Sequence, residues 1–180
     1  MTSMRVVLAG LVCGVLALSA AGPGFAQEQP KELGTFNSWT AWTRNGGSSG
    51  LECYISAQPE DWGPREVSGS PVRRSPIHFL VINRKTLGTS NEVQTLVGYP
   101  FHPSQPNASA SVDGKAYPLL TDGEAAWLAV AADEPGFVEA LKAGSKLVVK
   151  GTSQKGNVMS DTYNLSGVTA ALGEATKACS

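Results

Sequence analysis

Beyond its apolar N-terminal run the chain carries two cysteines, Cys53 and Cys179, and their placement limits what it can fold into. In Leu51-Glu52-Cys53-Tyr54-Ile55-Ser56-Ala57 the residues alternate, so Leu51, Cys53, Ile55 and Ala57 share one face of a predicted strand. Near the C-terminus Val168, Ala171, Leu172, Ala175 and Cys179 recur at helical spacing as one apolar stripe. Each thiol therefore points from the apolar side of its element, as a structural bridge between the closing helix and the first core strand requires. A loop of about 100 residues or more contributes about 4–5 kcal/mol by restricting the unfolded chain. The rival reading is two free thiols or a redox-active pair, for which the usual Cys-x-x-Cys spacing is missing.

A bridge needs an oxidising compartment, and the N-terminus predicts one. Arg5 precedes the uncharged run Val6 to Ala21. Gly22-Pro23 breaks that run, and Gly24-Phe25-Ala26 offers a small-x-small site before the polar Gln27-Glu28-Gln29. This is the pattern of a secretory signal peptide over residues 1–26, cleaved after Ala26 and taking Cys13 with it. The run is marginal for an anchor, which needs about 20 apolar residues. Residues 27–180 are then expected as one domain, long enough for a real core. The 14 basic and 15 acidic side chains nearly cancel and form no basic patch. Nucleic acid is thereby excluded as a partner. No later segment is apolar enough for a membrane span, so the expected address is the periplasm, the cell surface or the medium.

Short strands dominate the rest. Pro76 to Ile82 is apolar on both faces, which predicts a central strand, and Glu92 to Tyr99 alternates. Asp113-Gly114 lies between Ala110-Ser111-Val112 and Lys115-Ala116-Tyr117, a two-residue hairpin signal. Thr121-Asp122-Gly123 repeats the turn before Ala125 to Val130. Ser145 to Lys150 and Asn157 to Leu165 add two strands joined through Lys155-Gly156-Asn157. Asp133-Glu134-Pro135 opens a helix that carries Phe137, Val138 and Leu141 on its apolar face and stops at Gly144. A second helix runs from Val168 to Cys179. The stretch Gln58–Arg74 reads as a long loop. The predicted class is mostly β: an antiparallel, β-sandwich-like single domain with two short helices, the second at the C-terminus.

Reaction chemistry has little to build on. His78 heads a strand and His102 sits in a proline-bearing loop, and neither has Cys or Asp at metal-ligand spacing, so no metal or cofactor is expected. No GxSxG, HExxH or phosphate-binding glycine loop occurs, and no residue is assigned as catalytic. Asp161 is the exception to the strand pattern, because it shares a face with Met159, Tyr163 and Leu165. A carboxylate there must find donors or raise its pKa. It either accepts backbone N–H groups and sets register, or acts with Tyr163 as the weak polar site of a hydrolase or lyase, with Asp122 or Asp133 approaching through the fold. For binding, Trp62 in the long loop is a candidate aromatic anchor, while Trp39 and Trp127 are expected in the core. Arg73 and Arg74 either grip an acidic partner or form a solvated strand entrance.

The order of several motifs is similar to the invasion-associated locus B family of exported bacterial proteins. These are Trp39, Cys53-Tyr54, Arg73-Arg74-Ser75-Pro76, Asn91-Glu92-Val93 with Gly98-Tyr99-Pro100-Phe101, and Ala126-Trp127. They continue with Lys142-Ala143-Gly144, Lys150-Gly151-Thr152-Ser153, and Asp161-Thr162-Tyr163-Asn164-Leu165-Ser166-Gly167 leading to Cys179. The resemblance spans about Trp39 to Cys179. It implies an exported, β-rich, periplasmic or surface-associated protein, with a role in host-cell invasion attached to the family name. Some members have a further cysteine after the early tryptophan. Trp39-Thr40-Ala41-Trp42-Thr43 lacks it. The expected function is non-enzymatic binding of a protein or glycan partner in the envelope or on a host surface, with the Asp161–Tyr163 hydrolase or lyase as the alternative.

Overall fold

Turn chemistry divides the chain into short strands that pair mostly with their sequence neighbours. The computed structural model describes residues 29–180, so the expected signal peptide at 1–26 lies outside the described residues. The strands are β1 (Lys31–Phe36), β2 (Trp39–Asn45), β3 (Leu51–Ala57), β4 (Asp61–Gly63), β5 (Glu66–Val67), β6 (Ser70–Pro71) and β7 (His78–Arg84). They continue as β8 (Thr89–Leu96), β9 (Ser109–Val112), β10 (Lys115–Asp122), β11 (Ala125–Leu128), β12 (Lys146–Thr152) and β13 (Val158–Asn164). The helices are α1 (Glu134–Ala143) and α2 (Val168–Ala178).

Eleven strands form one antiparallel sheet in the order β1-β2-β3-β7-β8-β11-β10-β9-β12-β13-β4, with β5 and β6 as a separate ribbon. The Asp113-Gly114 turn behaves as the sequence predicts. Both residues have positive φ, 46° and 94°, and Val112 faces Lys115 across the hairpin. Between β1 and β2 a two-residue turn with Asn37 at φ 51° brings Phe36 opposite Trp39.

The sheet folds over so that strands far apart in its order share one core, which is the sandwich-like arrangement read from the pattern. Phe79 of β7 meets Tyr163 of β13 edge-on at 5.7 Å, and Trp39 of β2 donates from Nε1 to the Asn164 carbonyl at 2.9 Å. Phe137 of α1 packs against Phe79 at 6.2 Å and Tyr117 at 4.8 Å. The α2 stripe, Val168, Ala171, Leu172 and Ala175, is buried and rests on β1, β2 and β3. A disulfide joins Cys53 to Cys179 with their Cα atoms 5.9 Å apart. It anchors the end of α2 to the middle of the layer beneath it.

Three expectations need correction. Cys53 does not sit on the first core strand, because β1 and β2 precede β3 and pair with it in series. A bulge between Glu32 and Gly34 interrupts the alternation that would have exposed β1 to pattern reading. The Gln58–Arg74 stretch is not one loop, since it contains β4, paired to Ser160–Thr162, and the β5–β6 ribbon. Trp127 is only half-buried, because Ala126 and Leu128 take the inward positions of β11.

Candidate functional site

The residue that broke the strand pattern is held by one that looked solvated in sequence. Asp161 points inward from β13, and its side chain is 1% exposed. Its donors are not backbone amides. The Arg74 guanidinium forms a bidentate pair with it, Nη1 donating to Oδ1 at 2.5 Å and Nη2 to Oδ2 at 2.7 Å. Arg74 is itself only 2% exposed, and it also donates from Nε to the Val97 carbonyl at 2.9 Å. Burial pushes the Asp161 carboxyl up, and the Arg74 hydrogen bonds and charge pull against that. Asp122 and Asp133 play no part in this pair.

Two aromatic rings flank the guanidinium. Its carbon lies 4.9 Å from the Tyr99 ring centroid and 5.3 Å from that of Trp62, a cation–π arrangement in a dry setting. Trp62 is therefore no free loop aromatic. It lies on β4 opposite Asp161, half-buried, with the Arg65 guanidinium over it at 4.5 Å. Gly98 lets the Arg74 segment approach closely. Its φ is +69°, Ser75 N donates to its carbonyl at 3.0 Å, and a Cβ there would stand 2.2 Å from Ser75 O.

Tyr163 is fully buried, and its hydroxyl has no hydrogen-bond partner among the described residues. Burial pushes its phenol well above the ordinary range, with the Asp161 charge adding to the effect. Asp161 and Tyr163 thus share a face, as read from the sequence, but that face is sealed. His102 accepts at Nδ1 from the backbone of Ser104 and Gln105 at 3.3 and 3.1 Å and so shapes its own loop. His78 is half-buried at the start of β7, where burial pushes its pKa down. Among the described residues no group of three or more His, Cys, Asp or Glu side chains is placed to hold a metal ion, and no helix is long and apolar enough to cross a membrane.

What is open lies beside the sealed pair. A cleft of about 730 Å³ separates the Val67–Ser75 segment from the turn joining β12 to β13. Tyr99, Pro100 and Met159 line its apolar part, and Arg73 and Lys155 bring positive charge. The sequence treats Arg73 and Arg74 alike, as a grip for an acidic partner or a solvated strand entrance; the fold exposes Arg73 and buries the Arg74 side chain. The sequence reading missed Lys155 and Tyr99 as neighbours of Arg73, since no spacing links them to it.

The fold and site define a class: an antiparallel β-protein with one disulfide among the described residues and a buried Arg–Asp pair under an open cleft. Among solved structures the chain is similar to invasion associated protein B from Bartonella henselae. The two share 17% sequence identity and a TM-score of 0.51 over 84% of this chain and 98% of that one. At that identity the likeness establishes the fold, the one expected from the motif order. No protein-family model matches the sequence, and no curated protein does.

Proposed function

We propose that this chain is an exported envelope protein that works by binding a protein or glycan partner, with the Arg73–Lys155 cleft as the contact region. The observation that carries the reading is the contrast between the two polar features. Asp161 is committed to Arg74 beneath the surface, whereas Arg73 is exposed beside an open cleft with an apolar floor. A hydrolase or lyase built on Asp161 and Tyr163 needs a carboxyl group that substrate and water can reach. The 1% exposure of Asp161 and the full burial of Tyr163 speak against that access. The disulfide is compatible with export, and the name of the structural neighbour points to invasion and hence to a partner on a host surface.

Capture from envelope extract and from host-cell surface extract tests this reading, with wild type beside Arg73→Glu/Lys155→Glu and Trp62→Ala. A partner held by wild type and lost with the charge reversal supports it. Identical partner sets for wild type and the charge reversal refute it. Trp62→Ala is expected to weaken capture only through loosening of β4.

A further inference from the structure

The outer edge of β13 is only partly covered. β13 begins at Val158, but β4 pairs with Ser160 to Thr162 alone. After Gly63 comes Pro64, which has no N–H to extend the ladder. The hydrogen bonds show which groups this leaves free. Ser153 N donates to the Asn157 carbonyl at 2.9 Å, so Asn157 turns its main chain toward β12. Glu60 N donates to the Thr162 carbonyl at 2.8 Å, so even-numbered residues turn theirs toward β4. Val158 is therefore an outward-facing position beyond the end of β4, and its side chain is 70% exposed.

This free edge borders the cleft: Asn157 and Met159, on either side of Val158, line one wall, and Ser70 to Arg73 line the other. Among the described residues neither Arg73 nor Lys155 forms a salt bridge. Arg74 and Glu124 also line the cleft; with Arg74 offset by Asp161, one net positive charge remains there. The aromatic floor is a poor seat for a sugar ring. Tyr99 is 7% exposed, and its ring is engaged by Arg74 at 4.9 Å and Phe101 at 5.3 Å. An unpaired main-chain edge beside an apolar slot is instead what an extended peptide requires.

We propose that the cleft takes an extended, acidic peptide segment of a partner protein, which adds as a short strand beside Val158. Alternate side chains then face opposite ways. Apolar ones settle against Val72 and Pro100, which line the cleft and keep accessible surface, and a carboxylate lies between Arg73 and Lys155. This inference rests on the binding reading of the cleft and names the partner's chemistry.

The test is an amide-shift NMR titration of the mature, disulfide-bonded chain with three probes. They are a blocked heptapeptide alternating valine with glutamate, its valine–lysine counterpart, and an oligomer of N-acetylglucosamine. The glutamate peptide should shift the amides of Asn157, Val158, Val72 and Arg73 and bind about tenfold more tightly than the lysine peptide. Arg73→Glu/Lys155→Glu should reverse that preference. Val158→Pro removes the free N–H and should cost about tenfold in affinity with thermal stability unchanged, while Val158→Thr should bind as wild type. Equal binding of the two peptides, shifts confined to other surfaces, or a stable Val158→Pro variant that binds normally each overturn the inference. Shifts of the same amides by the sugar oligomer alone overturn it too, and leave the wider reading of a binding cleft standing.

Discussion

Substituting Arg74 by alanine should be among the most damaging single changes in the protein. It leaves the Asp161 carboxylate 1% exposed with no cation, strips the Val97 carbonyl of its donor, and empties the space between Tyr99 and Trp62. Breaking a buried pair from one side costs about 3–5 kcal/mol. At about 2–4 °C per kcal/mol for a chain of this size, the melting temperature should fall by roughly 6–20 °C. The damage should also depend on pH. Without Arg74 nothing opposes the burial that raises the Asp161 pKa, so its folded value lies above the unfolded one. The cost is then greatest at neutral pH and is relieved as pH falls through that raised value. Replacing both residues, as Arg74→Met/Asp161→Leu, should be far milder than either single change, because no lone charge remains. Urea denaturation at pH 7 and pH 5, with the disulfide intact, of wild type, Arg74→Met, Asp161→Leu and the double variant measures the four corners of that cycle. If Arg74→Ala costs less than about 1 kcal/mol at pH 7, or the two single effects simply add, the pair is not the buried anchor argued above.

Three further outcomes are expected. Glu52 is 3% exposed and bonded to Arg44 and Arg84. Burial pushes its pKa up, but the two guanidinium bonds outweigh it and hold the carboxyl below its ordinary value of 4.5. Its stabilisation is therefore present above that value and lost as pH falls through the lowered one. Glu52→Gln should flatten the acid limb of a stability–pH curve, and an unchanged slope counts against the assignment. Cys53→Ala/Cys179→Ala should lose about 4–5 kcal/mol, and two alkylatable thiols in the unreduced wild type would rule out the bridge. Gly98→Ala should cost about 1–3 kcal/mol through strain and its clash with Ser75 O, while Gly123→Ala, with positive φ but nothing within 4 Å, should cost about 1 kcal/mol. Equal losses at the two glycines would mean that the close approach of Ser75 to Gly98 does not matter.

The sequence by itself determined the elements whose signals are local. Asp113-Gly114 names its hairpin because two successive positive φ values need those residues. The stripe from Val168 to Cys179 names α2 and the side its thiol occupies. Alternation around Cys53 does the same for β3, and together they specify the bridge without any structure. The anomaly of an acid at position 161 was likewise readable.

What the sequence could not supply is which distant residue answers that acid. Arg73 and Arg74 are neighbours with identical chemistry. One reaches the cleft and the other disappears beneath it because β4, β13 and the Gly98 turn converge there. Pairing energy depends on burial and on bond geometry, and both arise only when the sheet folds over and brings the Arg74 segment against β13. The open edge at Val158 is a tertiary fact of the same kind, since it exists because β4 is too short to cover β13.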